Sequence, residues 1–325
     1  MPLVIEAKGL TRVYRGSTRR PAIRAVDGLD LQVAQGEVLG LLGPNGAGKT
    51  TMVRMLSCIL RPTDGTARVA GYDIRERPGE VRAACGVSME SPGLYERLTA
   101  QEYLAFFARL CDVAEGHVLA RVEEQLRAAA LWDRRDDPLA TFSKGMCQKV
   151  NIARALVHHP RLVFLDEPTS GLDVEAATAV REHIREMSQH AETTFVICTH
   201  NLPEAERLSH RIALMKAGRI VAAGAPEELK RRVFRADAFR IRLRQVLPHH
   251  REAVASLPGV AAVEVQDNVL AVHIPAAKEQ TTREILRRLA ESRADIISFG
   301  PEGPSLEEAY LHLLRQDKEK EEADE

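Results

Sequence analysis

The sequence lacks what would put it in a membrane, in an oxidising compartment or on nucleic acid. Its 325 residues hold no apolar run near the roughly 18 to 20 that a spanning helix needs, and Met1 to Leu10 carries Glu6 and Lys8 where a signal peptide would be apolar. The chain is expected neither to cross a membrane nor to be exported by that route. Its five cysteines, Cys58, Cys85, Cys111, Cys147 and Cys198, form no CxxC pair and no regular spacing, which argues against a disulfide framework and a zinc site. A reducing cytoplasm is the simplest setting. Neither sign of charge prevails: 45 Lys+Arg against 46 Asp+Glu leave a formal net charge of -1, so bulk electrostatics gives no reason to expect nucleic acid or an anionic lipid surface as the main partner. No internal repeat is present, which excludes a tandem duplication. The hydrophobic fraction, 45%, suits a soluble globular chain, and at roughly 150 residues per domain the length predicts two domains.

Composition shifts twice along the chain. From Met1 to about Lys230, short apolar runs alternate with helical patterns and Gly-rich turns, the pattern of an α/β domain with a largely parallel sheet. Lys230 to Arg251 then carries eight Lys or Arg and one acid, Asp237, and reads as a basic linker (231–237) entering a second domain (238–316). There Phe239, Ile241 and Leu243 alternate with Arg240, Arg242 and Arg244, a half-buried strand. A small helix over Glu252 to Leu257, strands over Val260–Gln266 and Val269–Ile274 about an Asp267-Asn268 turn, a helix over Glu279–Ala290 and a strand over Ile296–Phe299 complete the order β-α-β-β-α-β, a ferredoxin-like unit. A helix over Ser305–Arg315 opens with Ser-Leu-Glu-Glu, a capping pattern between Ser305 and Glu308. Six acids and two lysines over 317–325 make an acidic tail.

Gly43-Pro44-Asn45-Gly46-Ala47-Gly48-Lys49-Thr50 fits G-x-x-x-x-G-K-[ST], follows the apolar run Val38–Leu42 and precedes a helical pattern through Val53, Leu56 and Ile59. Glycines let backbone amides curl around phosphate oxygens, and the helix N-terminus adds positive potential. Lys49 is expected to reach the β- and γ-phosphates, and the Thr50 hydroxyl to ligate Mg²⁺, with Thr51 beside it in the same cradle. A second run, Arg161 to Leu165, ends in Asp166-Glu167. Such a strand delivers Asp166 to the metal and points Glu167 to where an attacking water sits, the task of a general base. Between them, Ser143 opens a helical pattern with Gly145 in its first turn, both an N-cap and a small anion site.

In this order the motifs resemble the nucleotide-binding domain of the ABC ATPase family, over about the first 225 residues. The resemblance implies a P-loop NTPase fold of ABC type, α/β with a mixed sheet and a helical subdomain (about 93–160), within a domain of residues 1–230, followed by the small α+β ferredoxin-like domain. It implies that Tyr14 stacks on adenine, that Ser143 and Gly145 hold the γ-phosphate of ATP bound to a partner subunit, and that Ser170-Gly171-Leu172-Asp173 joins the two sites. His200, after a strand over Phe195–Cys198, is then the switch contacting the γ-phosphate. Two positions depart from the family pattern. Phe142, Lys144 and Met146 replace three residues of its usual Leu-Ser-Gly-Gly-Gln signature, and Glu90 stands where a glutamine is usual, still a hard oxygen donor for Mg²⁺. The Ser-Lys-Gly-Met form and the C-terminal extension resemble the type-2 exporter branch, which includes antibiotic self-resistance ATPases of the daunorubicin type.

With one phosphate loop and one signature per chain, the resemblance implies a homodimer with ATP sandwiched between subunits, and a separate transmembrane permease docked near Leu94–Leu131. That sets the expected location, the cytoplasmic face of the cell membrane. The alternative is a soluble ABC-type ATPase acting as a clamp on nucleic acid or ribosomes; such members usually carry two fused ATPase domains or a long coiled-coil insertion, and neither is present. A non-hydrolysing module is disfavoured by the intact Lys49, Asp166 and Glu167.

Overall fold

The computed structural model describes residues 2–16, 21–90, 93–190, 193–233, 237–274, 279–302 and 306–313. The chain opens with two long strands, β1 (Leu3–Tyr14) and β2 (Ile23–Ala34), and a short one, β3 (Val38–Leu42), that runs into helix α1 (Lys49–Leu56). Next come β4 (Asp64–Val69), β5 (Tyr72–Asp73), α2 (Pro78–Ala84) and β6 (Cys85–Ser88). A helical stretch holds α3 (Ala100–Leu110), α4 (Glu115–Ala128) and α5 (Lys144–Leu156). Then follow β7 (Leu162–Asp166), α6 (Val174–His190), β8 (Thr194–Thr199), α7 (Leu202–Leu208), β9 (Arg211–Lys216), β10 (Arg219–Gly224) and α8 (Pro226–Val233). The chain divides into two compact units, Met1–Pro226 and Glu227–Glu325.

In the first unit a six-stranded sheet runs β10-β9-β3-β8-β7-β6, parallel throughout except for the β9–β10 pair. β3, β7 and β8 are buried from end to end, which is why they read as unbroken apolar runs rather than alternating ones. Successive residues divide between two cores. Leu39, Leu41, Leu162, Phe164 and Val196 face α1 and the N-terminal strands, whereas Val38, Val163, Leu165, Phe195 and Ile197 pack with α5 and α6. Each such fully buried Leu, Val, Ile or Phe stabilises the fold by about 1.5–3 kcal/mol, so this sandwiched sheet is the rigid base of everything at its strand ends.

The N-terminal strands do not join that sheet. They form a separate antiparallel one, order β2-β1-β4-β5, beside the largely parallel sheet that the sequence leads one to expect. The physical reason is the connection: β1 and β2 follow one another without the long crossover that a parallel neighbour requires. They turn Ile5, Ala7, Val26, Leu29, Leu31 and Val33 into the core shared with α1.

α1 ends at Leu56, short of Ile59, because Cys58 turns left-handed (φ 57°) and the Ile59 and Leu60 amides both donate back to the Arg54 carbonyl. Helices α3 to α5 have a core of their own, with Tyr103, Leu104, Val118, Val122, Leu126, Val150 and Ala153 at its centre. α3 is fixed at its start by a capping box: the Thr99 hydroxyl accepts from the Glu102 amide at 3.1 Å and the Glu102 carboxylate accepts from the Thr99 amide at 2.9 Å.

The second unit holds β11 (Asp237–Leu243), α9 (Pro248–Ala255), β12 (Ala262–Gln266), β13 (Val269–Ile274), α10 (Glu279–Glu291) and β14 (Ile296–Glu302) in an antiparallel sheet of order β12-β13-β11-β14. This is the ferredoxin-like order, with Ile241, Leu243, Leu270 and Val272 packed with Val254, Ile285 and Leu289 of the two helices. Three boundaries differ from the sequence reading. The small helix starts at Pro248 rather than Glu252, since a proline is suited to the first helical turn. β14 runs on to Glu302 because it pairs with β11 along that length. The stretch read as a linker, 231–237, begins inside α8 and ends on β11. Residues 306–313 are helical, while Ser305 and the acidic tail lie outside the described residues.

Candidate functional site

The first half of the site is the turn between β3 and α1. Gly48 sits at φ 105°, and a Cβ there would lie 2.2 Å from the Ala25 carbonyl oxygen, so only glycine lets the turn close against β2. Lys49, 6% exposed, curls back over the turn: its Nζ donates to the Gly43 carbonyl at 2.6 Å and the Pro44 carbonyl at 3.3 Å, and lies 3.7 Å from Glu167 Oε1. A cleft of about 350 Å³ lies over this turn, lined by Asn45 to Thr51, Glu90, Asp166 and Glu167 together with Tyr14, Ile23 and Ala25. Strand, turn and helix thus bring an ammonium, a hydroxyl and backbone amides to one wall, the chemistry of a polyphosphate site.

The second half is the end of β7. Asp166, 3% exposed, accepts from the Thr50 hydroxyl at 2.8 Å. Burial pushes the Asp166 carboxyl above its usual range; the Thr50 bond opposes this, while the neighbouring Glu167 adds to it. A cation at that point would reverse the penalty. The donors there, Thr50 Oγ1, Asp166 and Glu90, are all hard oxygens of the kind Mg²⁺ selects.

Glu167 breaks from the strand in a left-handed conformation, φ 50°, and its amide donates to the Cys198 carbonyl at 2.8 Å. A non-glycine residue at positive φ costs on the order of 1–3 kcal/mol, held here by the strand packing on either side. The turn aims its carboxylate at two nitrogen partners, the Lys49 ammonium and the His200 Nδ1 at 2.9 Å. β8 and β7 are hydrogen-bonded neighbours, and that register carries His200 beside Glu167.

Not every residue singled out from sequence gathers here. Ser143 caps α5, its hydroxyl accepting from the Met146 amide at 3.3 Å. Asp173 caps α6 by accepting from the Ala176 amide at 2.8 Å and is exposed. Neither lines the cleft, nor does Gly145. A Cβ on Gly145 would come within 2.8 Å of Ala176 Cβ, so this glycine serves the contact between the first turns of α5 and α6. Gly145→Ala is accordingly expected to destabilise the chain by about 1–3 kcal/mol, read as a Tm several degrees lower in thermal denaturation.

Three residues escaped the sequence reading. Arg12 lies 5.0 Å from the Tyr14 ring and is held by the Arg61 carbonyl at 2.7 Å, so one face of the ring is backed by a cation. Thr199 and Glu204 are buried next to Glu167. Asn201-x-x-Glu204 gives an ordinary helix-start signal, and nothing in it marks Glu204 as buried.

A family model described as ABC transporter matches residues 26–170, and one described as ATP-binding protein DrrA1-3-like, C-terminal domain, matches 224–314. The chain is 37% identical over 315 residues to the daunorubicin/doxorubicin resistance ATP-binding protein DrrA of Streptomyces peucetius, covering 95% of this chain and 92% of that protein. Among solved structures, it is similar to cbiO1 of Clostridium perfringens, part of an ABC transporter complex, with TM-score 0.64 and 26% identity over 70% of this chain and 91% of that one. It is also similar to the dimeric bacterial ABC transporter cassette MJ0796, with TM-score 0.61 and 25% identity over 68% and 98%. With a nucleotide-site geometry of this kind on a mixed α/β sheet and a relative matched nearly end to end, the chain belongs to the ABC transporter family as an ATP-binding cassette ATPase with a DrrA-like C-terminal domain.

Proposed function

We propose that this ATPase is the motor subunit of an exporter, hydrolysing ATP between two copies of the chain and driving a separate transmembrane permease from the cytoplasmic face. The observation that carries the reading is the convergence on Glu167, whose carboxylate stands 3.7 Å from Lys49 and 2.9 Å from His200 at the rim of the cleft. In this reading Glu167 takes the proton of the attacking water as general base. Lys49 and the amides of Asn45 to Thr51 hold the β- and γ-phosphates, and His200 meets the γ-phosphate on the side of the base. Thr50, Asp166 and Glu90 hold Mg²⁺, which when bound supplies charge neutralisation of the phosphates. Tyr14, backed by Arg12, gives adenine a stacking surface.

Ser143 and Gly145 act across the dimer, on the nucleotide of the partner subunit, and Asp173 belongs to the turn between the two sites. Their distance from the chain's own cleft supports that division of labour. Among the described residues no helix is long and apolar enough to cross a membrane, and in this reading the separate permease carries the pathway for cargo. Relatives named for daunorubicin and doxorubicin resistance support a drug-like cargo and the export direction. Residues 1–230 form the motor, and the ferredoxin-like unit is an accessory to it. The experiment is co-expression with a polytopic membrane protein from a neighbouring gene: copurification of the two and an ATPase rate altered by the partner are expected. A chain that stays wholly in the soluble fraction, at an unchanged rate, overturns the reading.

A further inference from the structure

The buried carboxylate of Glu204 has no part in the site as described so far. At 1% exposure it accepts from two hydroxyls, Thr169 Oγ1 at 2.7 Å and Thr199 Oγ1 at 2.6 Å, one on each of its oxygens. Those threonines stand on different segments. Thr169 lies two residues after Glu167, in the turn that leaves β7, and Thr199 is the last residue of β8, directly before His200.

Helix propensity alone would send this side chain elsewhere. Asn201 caps α7, its Oδ1 accepting from the Glu204 amide at 3.1 Å, and a glutamate at that third position ordinarily reaches back to the cap residue's own amide. Here the Asn201 amide donates instead to Thr199 Oγ1 at 3.0 Å, which releases the Glu204 carboxylate to face inward. A hydroxyl has one proton to give. Thr199 accepts from Asn201 and has two acceptors within range, Glu204 Oε2 at 2.6 Å and Glu167 Oε2 at 3.4 Å. The short bond to Glu204 therefore fixes the Thr199 rotor, and that rotor defines one side of the pocket occupied by the Glu167 carboxylate. Lys49 and His200, both against Glu167 Oε1, define the other.

We infer that Glu204 is a positioning residue for ATP hydrolysis: a buried strap that locks Thr169 and Thr199 together and so holds Glu167 and His200 in register. The inference rests on the base role proposed for Glu167. Burial pushes the Glu204 carboxyl above its usual range, with the two hydroxyls opposing, so the position carries a desolvation cost that packing alone does not require.

The test uses the full-length chain and steady-state ATP hydrolysis. Glu204→Gln keeps the shape but replaces one acceptor oxygen with a donor, so it cannot accept both hydroxyls; kcat is expected to fall about 10-fold with the KM for ATP unchanged, since Glu204 touches no part of the phosphate loop. Its Tm is expected to stay near wild type, because relief of the carboxyl's burial cost offsets the one hydroxyl left without an acceptor. Thr199→Val is expected to lower kcat by a similar factor and Thr199→Ser to restore it. The double variant Glu204→Gln/Thr199→Val is expected to be no slower than either single, the mark of one shared interaction. Wild-type kcat in Glu204→Gln, multiplicative losses in the double variant, or a fall in Tm that accounts for the lost activity would each overturn the strap. Should Glu204→Gln fail to fold, the Thr199 pair decides alone: equal rates for Val and Ser remove the inference. Glu167→Gln, run alongside, separates the two readings, since an inactive Glu167→Gln with a fully active Glu204→Gln leaves the base in place and removes only its support.

Discussion

Glu167→Gln is expected to lower ATP turnover by about 10²–10⁴-fold while ATP binding persists, the range that a positioned general base contributes. The amide has nearly the carboxylate's shape, and its single oxygen can take the place of Oε1 beside His200. It has lost the basicity to take a proton from water and the charge that faces Lys49 at 3.7 Å. Because Lys49 keeps its bonds to the Gly43 and Pro44 carbonyls, the phosphate wall is undisturbed and nucleotide affinity stays near wild type. A chain that binds ATP without consuming it is expected to accumulate as a closed dimer, eluting earlier from size exclusion in ATP than in ADP. Full ATPase activity in this variant would remove Glu167 from the base role.

Lys49→Ala acts on the opposite wall. The ammonium is 6% exposed, bonded to two loop carbonyls and facing a carboxylate that is itself 11% exposed. Removing it deletes the charge-assisted contacts to phosphate, each about 1.5–3 kcal/mol, and leaves Glu167 without its ammonium partner, though still beside His200 Nδ1. ATP affinity is expected to fall at least 100-fold in a fluorescent-nucleotide titration, and hydrolysis with it. Circular dichroism is expected to show the fold retained, because the helix packs through Met52, Val53, Met55 and Leu56 rather than through Lys49. Unchanged affinity would mean that the β3–α1 turn holds something other than phosphate.

How much of this could be read in advance depended on how local each feature is. The phosphate loop and the Asp166-Glu167 pair lie at the ends of unbroken apolar runs, and a strand buried on both faces announces itself without reference to its neighbours. The ferredoxin-like order was legible for the same reason, from strict alternation in β11 and a two-residue turn at Asp267-Asn268. The separate N-terminal sheet was not, since its strands are interrupted by register shifts near Gly9 and Gly28 that blur the alternation. That Tyr14 and Glu90 reach one cleft depends on sheet register far from either residue. Thr199 and Glu204 were hidden for a different reason: their sequence signal is that of a helix cap, and only the structure reveals that the cap's usual bond has been taken by another group.

The helix that begins at Ser143 has a mechanical property of its own. α5 is seated in two cores at once, giving Val150 and Ala153 to the helical lobe and Ile152, Ala155 and Leu156 to the sheet. At its far end it presses so close to β6 that a methyl group on Gly86 would fall 1.9 Å from the Ala155 carbonyl oxygen. Such a rod is clamped like a beam built into two walls. Load applied to α3 or α4 finds little slack between lobe and sheet, and such a beam carries it along its length toward the first turn that Ser143 caps.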